Sequence, residues 1–176
     1  MHCPTHLMSG WCIGNLFPLS GGQRLACMLA AAMADVDALS VVGGWDAYQI
    51  YHHKLAHNLP FGVLACAILW WFTGRRLWPF LLYLALFHLH LVMDFFGSGP
   101  GWGIYYFWPF SQWAADNWHY SWEFSSWQNS TTAGLLLLWT IGIAYFRRRT
   151  PLEVVMPNLD RQLVDLLPRR AGLNPP

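Results

Sequence analysis

The sequence predicts an all-α fold, a polytopic membrane helical bundle of about five helices with a Trp-rich interfacial loop. Three observations carry this reading. Hydrophobic residues make up 55% of the 176-residue chain and charged residues only 11%, a mixture far too apolar for an ordinary soluble domain. The apolar residues gather in runs of roughly 15 to 20, about the length that spans a bilayer as a helix. The chain also holds 12 Trp, six of them within residues 100–130, and such amphipathic rings favour the headgroup level of a membrane.

Taken in order, Thr5-His6-Leu7 opens a first short helix that reaches about Phe17, and Pro18 to Gly22 forms a turn. A second helix is expected from Gln23 to Leu39, made of small apolar residues until Asp35-Val36-Asp37. Two carboxylates so spaced point to different sides of a helix, but a helix that frays there turns both toward one site. Residues 41–51 form a loop or short helix broken at Gly43-Gly44, and His52-His53-Lys54-Leu55-Ala56-His57-Asn58 is the densest histidine cluster in the chain. Apolar runs follow at 59–73, closed by Gly74-Arg75-Arg76, and at 77–96, closed by Gly97-Ser98-Gly99-Pro100-Gly101. The last run, 132–146, ends at Arg147-Arg148-Arg149. Residues 1–149 therefore read as one membrane-embedded domain and 150–176 as a C-terminal cytoplasmic tail.

The start of the chain has no basic stretch before a long apolar one and is expected to be retained rather than cleaved. Cys3, Cys12, Cys27 and Cys66 show no metal or redox spacing and read as small hydrophobes. With a net charge of +1 and Lys54 as its sole lysine, the chain has no basic face to follow phosphates, which excludes nucleic acid as a partner.

The chemistry centres on residues 86–110. His88, His90 and Asp94 interrupt an apolar helix, and an imidazole and a carboxylate four residues apart share a helical face, a spacing one divalent metal can use. Leaving such groups unpaired in an apolar segment is costly. Three histidines within six residues at 52–57 point the same way. Arg24, Arg75, Arg76 and Arg147 to Arg149 fall at helix ends that alternate onto one side, cytoplasmic by the positive-inside tendency. His6, Asp35, Asp37, His52, His57 and Asp94 then arrive together at the other end, predicting one site on the periplasmic, exoplasmic side.

The segments THLMSG, MADVDA, HHKLAHN, and HLVMD followed by GSGPGWG and FWPFS resemble, in order, the pattern of the YdjM-like family of bacterial inner-membrane-associated, metal-dependent hydrolases, over about residues 4 to 111. The family's Thr-His, Asp-x-Asp, His-Arg-Gly-x-Thr-His and His-x-x-x-Asp elements fall on His6, on Asp35 and Asp37, on His52 and His57, and on His90 and Asp94, with Pro109 as its late proline. The chain departs from that pattern at His53-Lys54, Ala56, Ala34 and Ala38.

The resemblance implies a hydrolase with one or two divalent metal ions, zinc being the expected one. The expected ligands are His6, Asp35, Asp37, His52, His57, His90 and Asp94, with Asp37 and Asp94 as catalytic carboxylates and His53, His88 and Asn58 as supporting or substitute groups. A phosphoester or other ester at the membrane surface is the expected substrate and membrane lipid the expected partner. An ion or metal transporter, or a structural membrane protein with a buried polar cluster, is the competing expectation.

Overall fold

The computed structural model describes residues 1–168. Among them the chain forms α1 (Cys3–Gly14), α2 (Gly21–Ala32), α3 (Trp45–Tyr51), α4 (Leu59–Phe72), α5 (Leu77–Gly97), α6 (Trp127–Arg147) and α7 (Pro157–Asp165). The described residues contain no strand, only an isolated bridge between Ile104 and Ala115. The fold is all-α as the sequence predicts, but the count of about five helices is too low because α3 and α7 add short elements. The second helix also stops early. It ends at Ala32 and tightens into a 3-10 segment, Met33–Gly43.

Two stretches are long and apolar enough to cross a bilayer, Gly21–Gly43 with mean hydropathy 1.8 and Leu77–Gly97 with 1.7. α4, at 14 residues, is short for a span. α6 has the length, but it starts with the polar residues WQNSTT. The described residues therefore carry two candidate spans rather than five.

Glycine spacing sets how closely the helices meet. Gly10 and Gly14 lie one turn apart on the face of α1 that meets α2. A Cβ at Gly10 would overlap the Cys27 carbonyl, and one at Gly14 would lie 3.1 Å from the Cys27 Cβ, the small-residue arrangement that lets backbones approach. In the same way a Cβ at Gly62 of α4 would strike the Phe87 ring of α5. Ala26, Cys27, Ala30, Ala31 and Ala34 present a small-residue surface to Tyr83, Leu86, Phe87 and Leu91, and these residues form the core. The four cysteines are unpaired; Cys27 and Cys66 are buried in that core, and Cys12 is buried beside Trp11 and Ile143.

At the start of α2, Ser20 and Gln23 form a reciprocal capping box, and Arg24 makes a bidentate pair with Glu153, at 2.6 Å (Nε to Oε1) and 2.9 Å (Nη2 to Oε2). Gln23 Nε2 donates to the Thr73 carbonyl at 3.2 Å, joining the end of α4 to the same place. The expected tail is thus folded back onto the bundle. Asp160 and Val164 of α7 are buried, and Asp160 Oδ1 accepts the Thr150 N–H at 2.6 Å. The rest of that tail, 169–176, lies outside the described residues.

At the opposite end, two fully buried asparagines pin the Trp-rich loop to the C-terminus of α5. Asn117 Nδ2 donates to the Phe95 and Gly99 carbonyls at 3.2 and 3.1 Å. Asn129 Nδ2 donates to Gly97 and Phe124 at 2.7 and 2.8 Å, while its Oδ1 accepts the Trp122 indole N–H at 2.8 Å. Trp113, Trp118 and Trp127 are exposed, as an interfacial belt requires.

Candidate metal centre

α5 supplies the centre of the site. His90 and Asp94 lie one turn apart on its buried face, with His90 Nε2 2.9 Å from Asp94 Oδ2. The orientation of His90 is fixed from behind. Its Nδ1–H donates at 2.7 Å to the carbonyl of Ala31, one of the last α2 carbonyls and so without a partner along its own helix. α1 brings His6 to the other oxygen, with Nε2 3.1 Å from Asp94 Oδ1, and the close approach at Gly10, one turn further on, gives it that reach.

The loop 52–58 supplies three more imidazoles. Asn58 shapes it: Oδ1 caps α4 by accepting the Phe61 N–H at 2.9 Å, and Nδ2 donates to the Lys54 and Leu55 carbonyls, both at 2.9 Å. His53 takes a left-handed backbone, φ 65°, an uncommon state for a non-glycine residue that recurs at functional sites. Asp37 receives the loop. Its Oδ1 accepts His52 Nδ1–H at 2.7 Å, and its Oδ2 accepts His57 Nδ1–H at 2.9 Å and the Ala56 N–H at 3.1 Å. His57 Nε2 then lies 3.2 Å from Asp94 Oδ2 and 3.1 Å from His90 Nε2. His53 Nδ1–H donates to the Trp102 carbonyl at 3.1 Å, leaving Nε2 3.9 Å from Asp94 Oδ2.

A pattern repeats here. His53, His57 and His90 each give Nδ1–H to an oxygen and turn Nε2 toward Asp94, the arrangement by which proteins fix the tautomer and aim of a metal-binding imidazole. Three overlapping groups could hold an ion, each with its ligand atoms within 4.8 Å of one another: His6, Asp35, His90 and Asp94; His53, His57 and Asp94; and Asp37, His52 and His57. His6 and Asp35, which reach this cluster through Nε2 and Oδ1, each keep a second buried atom, Nδ1 and Oδ2, with no hydrogen-bond partner among the described residues.

The electrostatics agree. Burial works against a charge on His57, yet its hydrogen bonds to Asp37 and Asp94 raise its pKa to about 9; the Nε2 side, toward Asp94, is where a cation can take the place of a proton. Burial and the neighbouring His57 push His53 well below its usual value, leaving its Nε2 lone pair free. The Met1 amino group ion-pairs with Asp94 and donates to Ser98 Oγ at 3.0 Å. A cleft of about 270 Å³ opens onto the cluster, lined by Asp35, His52, His53 and Asp94 and walled by Tyr48 and Trp102.

The predicted residues are not all brought together. Asp35 and Asp37 serve different neighbours, because consecutive 3-10 turns set them apart: Asp35 Oδ1 faces His90 at 3.7 Å, whereas Asp37 holds His52 and His57. His88 is turned away, hydrogen-bonded to the Leu84 carbonyl at 2.7 Å and the Tyr106 hydroxyl at 2.8 Å, since two residues from His90 is nearly the opposite side of a helix. Asn58 caps and braces rather than facing the cluster. Trp102, read from sequence as part of the interfacial belt, instead orients His53 and walls the cleft. No spacing in the sequence marks it out from its neighbouring tryptophans.

No curated protein and no solved structure matches the chain. A family model described as the YdjM inner membrane protein matches residues 1–159, which takes in every helix that contributes to the cluster. The chain belongs to the YdjM inner membrane protein family.

Proposed function

We propose that the protein is a membrane-bound, metal-dependent hydrolase of phosphoesters, holding one or two divalent ions at Asp94. The observation that supports this most is the convergence of four imidazole Nε2 atoms, from His6, His53, His57 and His90, on one carboxylate that is 1% exposed. Mixed imidazole and carboxylate donors suit zinc. Bound there, such an ion supplies Lewis acidity that polarises a phosphoryl oxygen and acidifies a water.

The residues divide the remaining work. Asp94 offers Oδ1 beside His6 and Oδ2 beside His57 and His90, so it can serve two ligand groups at once. Asp37 is a positioning residue, holding His52 and His57 by their Nδ1 atoms. Asp35 lines the cleft with Oδ2 unpartnered and is placed to take a proton there. Trp45, Tyr48 and Trp102 narrow the cleft and limit water.

The cluster lies at the end of α2 opposite Arg24. With the arginines of 24, 75, 76 and 147–149 on the cytoplasmic side, it faces the periplasm and meets lipid esters at the outer surface of a multi-pass chain. The test is elemental analysis of the purified protein, together with turnover of bis(p-nitrophenyl) phosphate, p-nitrophenyl phosphate and p-nitrophenyl acetate. Wild type is expected to carry metal and to cleave a phosphoester, and Asp94→Asn to lose both. Folded protein that takes up no divalent ion would refute the reading.

A further inference from the structure

Next to the metal cleft is a second hollow, of about 460 Å³, that shares His52 and Trp102 with it as lining residues. It is walled by Gln49, Lys54, Tyr105 and Asp116. The left-handed turn at His53 separates consecutive side chains: His53 lines the metal cleft and Lys54 lines the hollow. Lys54 is the chain's sole lysine. Its ammonium sits 4.8 Å from the centre of the Tyr105 ring, and no carboxylate lies within ion-pair distance of it among the described residues. A half-buried cation held by an aromatic face keeps its donors available to an anion. The hollow's one carboxylate, Asp116, is exposed, and its Oδ1 already accepts the Trp118 N–H at 2.9 Å.

We propose that this hollow is a second anion subsite, in which Lys54 binds a carboxylate or phosphate that the substrate carries beyond its scissile phosphoester. The inference rests on the phosphoesterase reading and narrows its substrate class to phosphoesters with two separated anionic groups. His52 and Trp102 then form the partition between the group that reacts and the group that is recognised, and Lys54 is a specificity residue outside the reacting centre.

Calorimetry on the metal-loaded protein in detergent tests this with 3-phosphonopropionate and 4-phosphonobutyrate against propylphosphonate and butylphosphonate, which match them in carbon count but lack the second charge. At least one phosphonocarboxylate is expected to bind about five-fold more tightly than its alkyl counterpart, the effect of one partly screened charge pair. Lys54→Gln is expected to erase that difference while leaving metal content and alkylphosphonate affinity unchanged, and Asp116→Asn to widen it. Alkylphosphonates that bind equally with and without the carboxylate would overturn the subsite alone, as would a preference that survives in Lys54→Gln. If no phosphonate binds the metal-loaded protein, the phosphoesterase reading falls and the subsite with it.

Discussion

His57 gives its Nδ1–H to Asp37 at 2.9 Å and so aims Nε2 at Asp94, 3.2 Å away. Asp37 thereby acts on the centre through another residue. Replacing it by asparagine keeps the shape but removes the charge and one acceptor. Asp37→Asn is expected to weaken metal binding about ten- to a hundredfold, read by competition with a chromogenic chelator, with the helical content of the protein retained. Undiminished affinity would deny Asp37 this role.

The contact between α1 and α2 is tightest at Gly10, where any side chain meets the Cys27 backbone. Gly10→Val is expected to cost about 1–3 kcal/mol or more and to draw His6 away from Asp94, lowering both the thermal midpoint in detergent and the bound metal. Gly22→Ala is the control, because a Cβ there meets nothing within 4 Å. Equal effects of the two substitutions would show that helix proximity is not what places His6.

Two histidines separated by one residue should behave oppositely. His90→Gln is expected to empty the centre, because His90 Nε2 faces Asp94. His88→Gln is expected to keep full metal stoichiometry and lose about 1 kcal/mol of stability through its bonds to Leu84 and Tyr106. Elemental analysis beside a denaturation curve decides, and metal loss in His88→Gln would contradict the geometry.

Asn129 makes three hydrogen bonds from a fully buried position. Asn129→Ala is expected to leave the Gly97 carbonyl and the Trp122 indole without that partner, at about 1–3 kcal/mol for each group that stays unsatisfied. Hydrogen exchange should quicken in the segment after α5 more than in α2. Uniform exchange across both would argue against a local anchor.

If the centre binds metal only when folded, chelation should lower the thermal midpoint and re-addition restore it. The free-energy gain is about 2.7 kcal/mol at a free ion concentration a hundred times the dissociation constant. His90→Gln should show no such response.

Much of the site was legible because helical spacing is rigid: His90 and Asp94 could hardly fail to share a face. The arrival of His6, Asp35 and the 52–57 cluster at the same end followed from the order of apolar runs and arginines. What could not be read was long-range. Nothing near His53 says that its ring turns inward on a left-handed backbone, and nothing near Trp102 says that its carbonyl will fix that ring. The Gly10 and Gly14 pair was visible in the sequence, but its meaning depends on which helix lies opposite. The 3-10 ending of α2 is a change of backbone geometry that hydropathy does not register, and it sent Asp35 and Asp37 to separate neighbours.

The Arg24 and Glu153 pair sits at one end of α2, and the histidine cluster lies beyond the other. If that helix crosses the bilayer, a protease or an impermeant reagent that finds the chain near Glu153 also reports, by exclusion, which compartment delivers the molecule to be cleaved. A reporter fused after α7 would then read out the sidedness of the chemistry without any knowledge of the substrate.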